Sequence, residues 1–205
     1  MEETKIRLSP QELRLVTDAD WILTKNEIMR KVKRLFETLQ NRQREWIMHH
    51  SNQLPGPAIS IPPKISRGEN YRGLPYMMLD HPRVFEKEHI LALRTLFWWG
   101  NFFSITLHLS GRYKKDFGEQ VLQNARDRDN DPLFACIHDE QWEHHFEPGN
   151  YRRCRDLDSG DVEHIRSRHF MKLARKMPLT DWDRASEKLF GDFVELLGLI
   201  QLPSR

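Results

Sequence analysis

The sequence of 205 residues contains few cysteines, little net charge and none of the short motifs that name a common reaction. Cys136 and Cys154 are the only cysteines, too few for a disulfide framework or for a zinc site made of cysteine alone. Because isolated cysteines are typical of reducing compartments, we expect a cytoplasmic location. The net charge of only +2 provides no overall field that would attract nucleic acid or a membrane surface.

One long apolar run, residues 90–109, has the length of a membrane-spanning helix but does not have its composition. The run contains Arg94, a Gly-Asn pair and His108, and an arginine at the centre of a bilayer costs about 2.5–3.5 kcal/mol. Residues 1–13 are charged and lack the apolar stretch of a signal peptide. We therefore expect a soluble protein without a membrane partner.

Residues 90–109 instead predict a β-hairpin that turns at Gly100 and Asn101. With a two-residue loop, Trp98 would pair with Phe103, and Arg94 would pair with Leu107. Arg94 would then interrupt an otherwise apolar face, so we expect it to bind a carboxylate. The opposite face would carry hydroxyl groups and His108.

Helical patterns lie on both sides of these strands. A capping box at Ser9–Glu12 and a similar signature at Thr24–Glu27 predict two helices within residues 9–50. The sheet region, residues 58–111, has further strands at 64–67 and 71–79. Pro75 and Pro82 place the second of these at an edge or beside a bulge.

The C-terminal region, residues 112–205, is mixed. It predicts a helix at 112–126, a segment at 133–147 that fits either a strand or a helix, a helix from Asp161 to Lys176, and a last helix after Thr180. The whole chain, residues 1–205, therefore predicts a single α+β domain. Its antiparallel sheet is built around the aromatic hairpin (about 90–110), with helices from both chain ends packed on it.

The best candidate binding segment runs from Arg67 to Arg83 and is rich in guanidinium groups, phenols and glycine. Such groups suit the recognition of an anionic small molecule, although an ordinary hairpin turn with a charged rim would have the same composition. Together with the polar face of the hairpin, the segment gives the expected ligand-binding residues: Arg67, Asn70, Tyr71, Arg72, Tyr76, Arg94 and His108. Function is otherwise unknown, and the leading hypothesis is a ligand- or partner-binding protein without catalytic chemistry.

A histidine-rich segment, His138–His145, supports a second hypothesis. On a strand, His138, Glu140 and His144 would share one face, the minimum for a divalent transition-metal site and hence a metal-dependent enzyme. A polar segment with hydrogen-bonded histidines accounts for the same residues. Whether the protein is an enzyme is uncertain.

Two further segments bear on macromolecular partners. Residues 25–49 form a basic helix that would suit a nucleic-acid-binding protein, but a solvated helix face explains the same charges, and we do not expect nucleic acid as a partner. Residues 189–200 contain more large apolar side chains than one buried helix face needs. This surplus predicts a homodimer through the C-terminal helix, or else a helix that is covered on two sides.

Overall fold

A seven-stranded antiparallel sheet, with helices packed on one face, organises the chain in a computed structural model that describes residues 6–127 and 132–200. The helices are α1 (Pro10–Thr17), α2 (Ala19–His49), α3 (Gly56–Ser60), α4 (Gly111–Arg126), α5 (Ser159–Ser167) and α6 (Ala185–Leu197). The strands are β1 (Lys64–Tyr71), β2 (Leu74–Phe85), β3 (Ile90–Trp98), β4 (Phe102–Ser110), β5 (Phe134–Cys136), β6 (Tyr151–Arg153) and β7 (Phe170–Pro178). Their order, β1-β2-β3-β4-β7-β5-β6, confirms the predicted α+β class.

The aromatic hairpin forms, but its loop has three residues rather than two. Trp98 pairs with Phe102, so Trp99, Gly100 and Asn101 make the turn, with Gly100 at a φ of +70°. The predicted pairs were therefore wrong by one residue, and Arg94 lies opposite Thr106, not Leu107. Because side chains alternate along a strand, this shift moves Arg94 to the same face as Thr106 and His108.

The turn before the hairpin also differs from the prediction. The strands predicted at 64–67 and 71–79 implied a turn at residues 68–70, but β1 continues to Tyr71 and the chain reverses at Arg72 and Gly73, which both have positive φ. β2 lies between β1 and β3 and is not an edge strand; its irregularity at His81-Pro82 agrees with the predicted bulge.

The break between the two N-terminal helices lies earlier in the sequence than predicted. The capping box of Ser9 and Glu12 is confirmed at the start of α1. The break lies at Asp18, which ends α1 and whose side chain accepts from the backbone N–H of Trp21 at the start of α2. Thr24 lies inside α2, so the predicted restart there was wrong.

The largest error concerns the residues after Asp161. The N-cap of α5 is Asp158, the helix ends at Ser167, and residues 170–178 form β7 beside β4 instead of continuing as a helix. The segment 133–147, which fitted either class, contains only the short strand β5 followed by irregular chain. The predicted helix at 112–126 is confirmed as α4.

The helix face of the sheet holds the main apolar core. Odd-numbered residues of β3 and β4, such as Leu93 and Ile105, pack against α2, α4 and α6. Leu189, Phe193 and Leu196 of α6 are almost fully buried, while Phe190 lies under the Arg42 guanidinium at 4.1 Å. The surplus apolar surface of α6 is thus covered within one chain, so the helix no longer argues for a dimer interface.

Candidate functional site

The opposite face of the sheet carries a group of largely buried polar side chains, which we call the polar cluster: Asp80, Arg94, Thr106, His108, His144 and Lys172. Asp80 and Arg94 come from β2 and β3, Thr106 and His108 from β4, and Lys172 from β7. The strand registers place these even-numbered side chains on one face. The irregular segment 137–150, which we call the covering loop, supplies His144 and lies over them.

Arg94 is held by a carboxylate, as the sequence predicted. Its Nε and Nη2 donate to the two oxygens of Asp80 at 2.7 and 2.9 Å. The Asp80 side chain is only 8% exposed, so this pair is largely removed from water. The remaining Nη1 lies 3.3 Å from Nε2 of His144, which requires His144 to be neutral and to accept a hydrogen bond there.

His108 and His144 are kept neutral by their surroundings. Burial lowers the pKa of His108 to about 3, and the nearby cations Lys172 and Arg94 act in the same direction. The same causes place the pKa of His144 well below its ordinary value. Nε2 of His108 is 3.1 Å from the side-chain oxygen of Gln141, which makes this nitrogen the donor.

Lys172 is a buried cation at the centre of the sheet. Its side chain is 1% exposed, and Nζ donates to the backbone carbonyl of Glu143 at 2.6 Å. Nζ also lies 5.3 Å from the centre of the Tyr151 ring, a cation–π contact. Burial lowers the pKa of Lys172 to about 8, so the amine is still mostly protonated at neutral pH.

Tyr71 fixes the covering loop to the sheet. Its hydroxyl accepts from the backbone N–H groups of His144 and His145 at 2.7 and 3.1 Å, and donates to the Glu143 carboxylate at 2.8 Å. Burial is the main reason that the pKa of Tyr71 is raised to about 12. A single phenol at the end of β1 thus positions the loop that supplies His144.

A cavity of about 10 Å³ lies inside the polar cluster. Its lining residues are Phe85, Ala92, Arg94, Thr106, His108, His144 and Lys172. Phe85 also lines an outer pocket of about 490 Å³, which extends over Ile90, Ser110, Gln141 and Trp142. Phe85 and Trp142 are 37% and 45% exposed, with their ring centres 6.3 Å apart, and form the mouth of the site.

The structure brings together only some of the residues expected from the sequence. Tyr71, Arg94 and His108 lie in or beside the polar cluster, and so does His144 from the metal hypothesis. The other four lie elsewhere. Asn70 accepts from the backbone N–H of Gly73 in the turn, Arg72 pairs with Glu147 at 2.6 Å, Arg67 is exposed, and Tyr76 packs on an apolar cluster near Trp98.

The proposed metal ligands do not converge. His138 and Glu140 are exposed and make local contacts: Nδ1 of His138 accepts from the backbone N–H of Glu140, and the Glu140 carboxylate accepts from that of Trp142. His144 instead is buried beside Arg94. Within residues 6–127 and 132–200, no group of three histidine, cysteine or acidic side chains is arranged to hold a metal ion.

Some of the charges on the basic helix are occupied by ion pairs. Along α2, Arg30 contacts Glu27, Lys33 contacts Glu37, and Arg42 contacts Glu187. The hypothesis of a nucleic-acid-binding helix stays untested.

In the part of the chain that the structure describes, none of the helices has the length and apolarity needed to cross a bilayer.

Sequence reasoning missed Lys172, Asp80 and the mouth residues Phe85 and Trp142. A signal for Lys172 was present, because Phe170, Lys172, Ala174 and Lys176 alternate with Met171, Leu173, Arg175 and Met177 as on a strand. No local pattern marks Asp80 as the partner of Arg94, since their pairing depends on the register of two strands.

Comparisons with known proteins do not assign the chain to a family. No protein-family model matches the chain, and no curated protein or solved structure shows significant similarity to it.

Proposed function

We propose that the protein binds a small organic carboxylate in the polar cluster, without chemical conversion of the ligand. The observation that carries this proposal is the lining of the inner cavity. Two cations, two histidines and a threonine surround it, while the lining contains no carboxylate. A cavity that offers many hydrogen-bond donors and has a positive charge favours an anion.

Lys172 gives the strongest support. An ammonium group has three donor hydrogens, and one of those of Lys172 is directed to the Glu143 carbonyl. Burial disfavours the charged form, and a bound carboxylate would restore a counterion. Arg94 is already neutralised by Asp80, whereas Lys172 has no ion pair with a carboxylate among the described residues, so Lys172 is the cation that a bound carboxylate would neutralise.

The size of the two spaces limits the ligand. The inner cavity has room for about one water molecule, so it can accept one oxygen atom of a carboxylate but not a whole phosphate group. The outer pocket of about 490 Å³ falls in the range of small-molecule sites and presents Phe85, Ile90 and Trp142 to the rest of the ligand. Its rim also carries Glu86, Lys87 and Glu88, and Glu86 is paired with Arg112. A carboxylate with an apolar or aromatic body therefore fits best, and it would enter by displacing the exposed rings at the mouth.

Calorimetric titration with a panel of aliphatic and aromatic monocarboxylates, with inorganic phosphate as a comparison, tests the proposal. We expect saturable binding of at least one carboxylate with an apolar body, and no comparable binding of phosphate. Lys172→Met should weaken that binding at least tenfold. Lys176→Met is the matched control, because Lys176 is an exposed lysine on the same strand and face.

Tryptophan fluorescence provides an independent readout, because Trp142 stands at the mouth. Ligand binding should change the emission of the native protein, and Trp142→Leu should remove most of this change. A panel without any binding carboxylate would contradict the proposal. Equal affinities of Lys172→Met and the native protein, both shown to be folded by circular dichroism, would contradict it as well.

A further inference from the structure

The N-terminal segment stands away from the body of the protein. All residues from 6 to 24, which we call the N-terminal arm, are exposed, and α1 contributes no buried residue. Of eleven exposed large apolar residues in the described chain, Phe85 and Trp142 form the mouth of the site and Met48 lies on α2. The other eight all lie in the arm: Ile6, Leu8, Leu13, Leu15, Val16, Trp21, Ile22 and Leu23.

Apolar side chains cover more than one side of the arm. Trp21, Ile22 and Leu23 are consecutive residues of α2, and successive side chains on a helix are about 100° apart. Trp21 contacts Trp99 edge to face at 6.2 Å, so its side of the helix meets the rest of the chain. Leu23, which is 60% exposed, lies on another side and needs a different partner.

The exposed apolar area is large enough for a stable interface. The eight side chains are between 43% and 99% exposed. Together they amount to several hundred Å², comparable with the roughly 800 Å² that each partner contributes to an interface of standard size. Large exposed apolar surfaces are rare on monomeric proteins and usually mark interaction sites, and here the surface is distributed over more than one side of the arm.

Opposite charges on the arm and on residues 25–34, which follow it in α2, favour a second copy of the chain as the partner. Residues 10–20 contain Glu12, Asp18 and Asp20 against one basic residue, Arg14. Residues 25–34 have the opposite balance, with one acidic residue, Glu27, and five basic ones: Lys25, Arg30, Lys31, Lys33 and Arg34. Lys25, Arg30 and Lys33 already contact Glu69, Glu27 and Glu37 within the chain, so Lys31 and Arg34 carry the positive charge that a partner would meet. Trp21, Ile22 and Leu23 lie between the two segments.

We propose that the protein forms a homodimer in which the N-terminal arms of two copies pair in antiparallel orientation. A two-fold axis near Ile22 brings the acidic segment of each copy against the basic segment of the other, and the apolar residues meet at the centre. A parallel pairing would instead place like charges together. This interface is separate from the carboxylate site and from the C-terminal helix.

Light scattering coupled to size-exclusion chromatography, from micromolar to submillimolar protein, tests the proposal. The native protein should reach twice the chain mass of 24.6 kDa. Val16→Gln/Leu23→Gln should shift the dissociation constant upward at least tenfold while keeping the native circular dichroism spectrum, because both side chains are exposed. Met48→Gln is the matched control: it changes an exposed residue of α2 outside the arm and should leave the dimer intact.

Cysteine crosslinking tests the orientation. Cys136 and Cys154 are buried, so a cysteine introduced in the arm is the reactive one. Leu23→Cys should form a disulfide between copies, since it lies near the proposed axis, whereas Leu8→Cys should not. Efficient crosslinking at both positions would indicate parallel arms and overturn the arrangement.

A native protein that stays monomeric over the whole concentration range would overturn the dimer, even if the arm then binds anionic phospholipid vesicles or another protein. If Val16→Gln/Leu23→Gln leaves the dissociation constant of the dimer unchanged, the interface lies elsewhere and the proposal is equally overturned.

Discussion

Arg94 and Asp80 are direct register partners on adjacent strands and join through two parallel hydrogen bonds. The pair connects β2 to β3 beneath the covering loop and leaves the third arginine nitrogen for His144. An ion pair that is this deeply buried is sensitive to the loss of one partner, because the remaining charge stays away from water.

Removing Arg94 should therefore destabilise the protein strongly. We expect Arg94→Ala to lower the free energy of unfolding by about 3–5 kcal/mol, since Asp80 is left buried and unpaired. Arg94→Met should cost less, because methionine retains packing against Phe85 and Trp142. Arg94→Met/Asp80→Leu should recover much of the loss, and urea denaturation measures all three variants.

Arg72→Met is the control for this series, because Arg72 forms an exposed ion pair with Glu147 and should leave the denaturation midpoint nearly unchanged. A double variant less stable than Arg94→Met would show that the charged pair itself contributes net stability. Equal stability of the native protein and Arg94→Ala would contradict the buried pair altogether.

The buried histidines should make the fold sensitive to acid. The pKa of His108 is lowered to about 3 and that of His81 to about 4, whereas both titrate near 6.5 in the unfolded chain. Below pH 6.5 the unfolded state therefore binds more protons, and the free energy of unfolding falls by about 1.4 kcal/mol per pH unit for each histidine.

His108→Gln should make this decline shallower between pH 6 and pH 4, and denaturation at several pH values measures the slope. His49→Gln, at an exposed position near the end of α2, should leave the slope unchanged. An unchanged slope in His108→Gln would mean that His108 is protonated in the folded protein near its ordinary pKa.

Replacing each of three glycines by alanine should change the stability of the protein by a different amount, because their backbone conformations and surroundings differ. Gly191 lies within α6 with open space around its Cβ position, so Gly191→Ala should raise stability by about 0.5–1 kcal/mol. Gly100 has open space but a φ of +70°, so Gly100→Ala should lower stability by about 1 kcal/mol.

Gly111 combines a φ of +53° with a Cβ position only 2.4 Å from the carbonyl oxygen of Glu88. Gly111→Ala should therefore be the most harmful of the three. Thermal unfolding ranks the series, and an order in which Gly100→Ala exceeds Gly111→Ala would contradict the close approach at the start of α4.

Short sequence patterns correctly predicted the parts of the fold that depend on residues close together in the sequence. The capping box at Ser9, helix α4 and the aromatic hairpin each follow from a short pattern. The register of the hairpin did not follow, because a loop of two residues and one of three have similar sequences here, and a one-residue shift exchanges the faces.

Residues 170–178 alternate as on a strand, but the region was predicted as helix, because charged residues such as Lys172 and Arg175 are unusual in a central strand. Each charge has a partner from a distant part of the chain: Lys172 donates to the Glu143 carbonyl, and Arg175 contacts Asp192 at 2.7 Å. For the same reason the site was only partly predicted. Arg94 required a carboxylate on physical grounds, but tertiary structure alone places Asp80, His144 and Lys172 around it.

The position of β7 between β4 and β5 has a consequence for synthesis of the chain. About sixty residues separate the end of β4 from the start of β7, which takes about 3–12 s at ribosomal rates of about 5–20 residues per second. Throughout that interval β4, which is buried at every residue after Phe102 in the finished fold, has no partner on one edge. During translation of residues 111–170, the unpaired edge of β4 is therefore open to association with other chains.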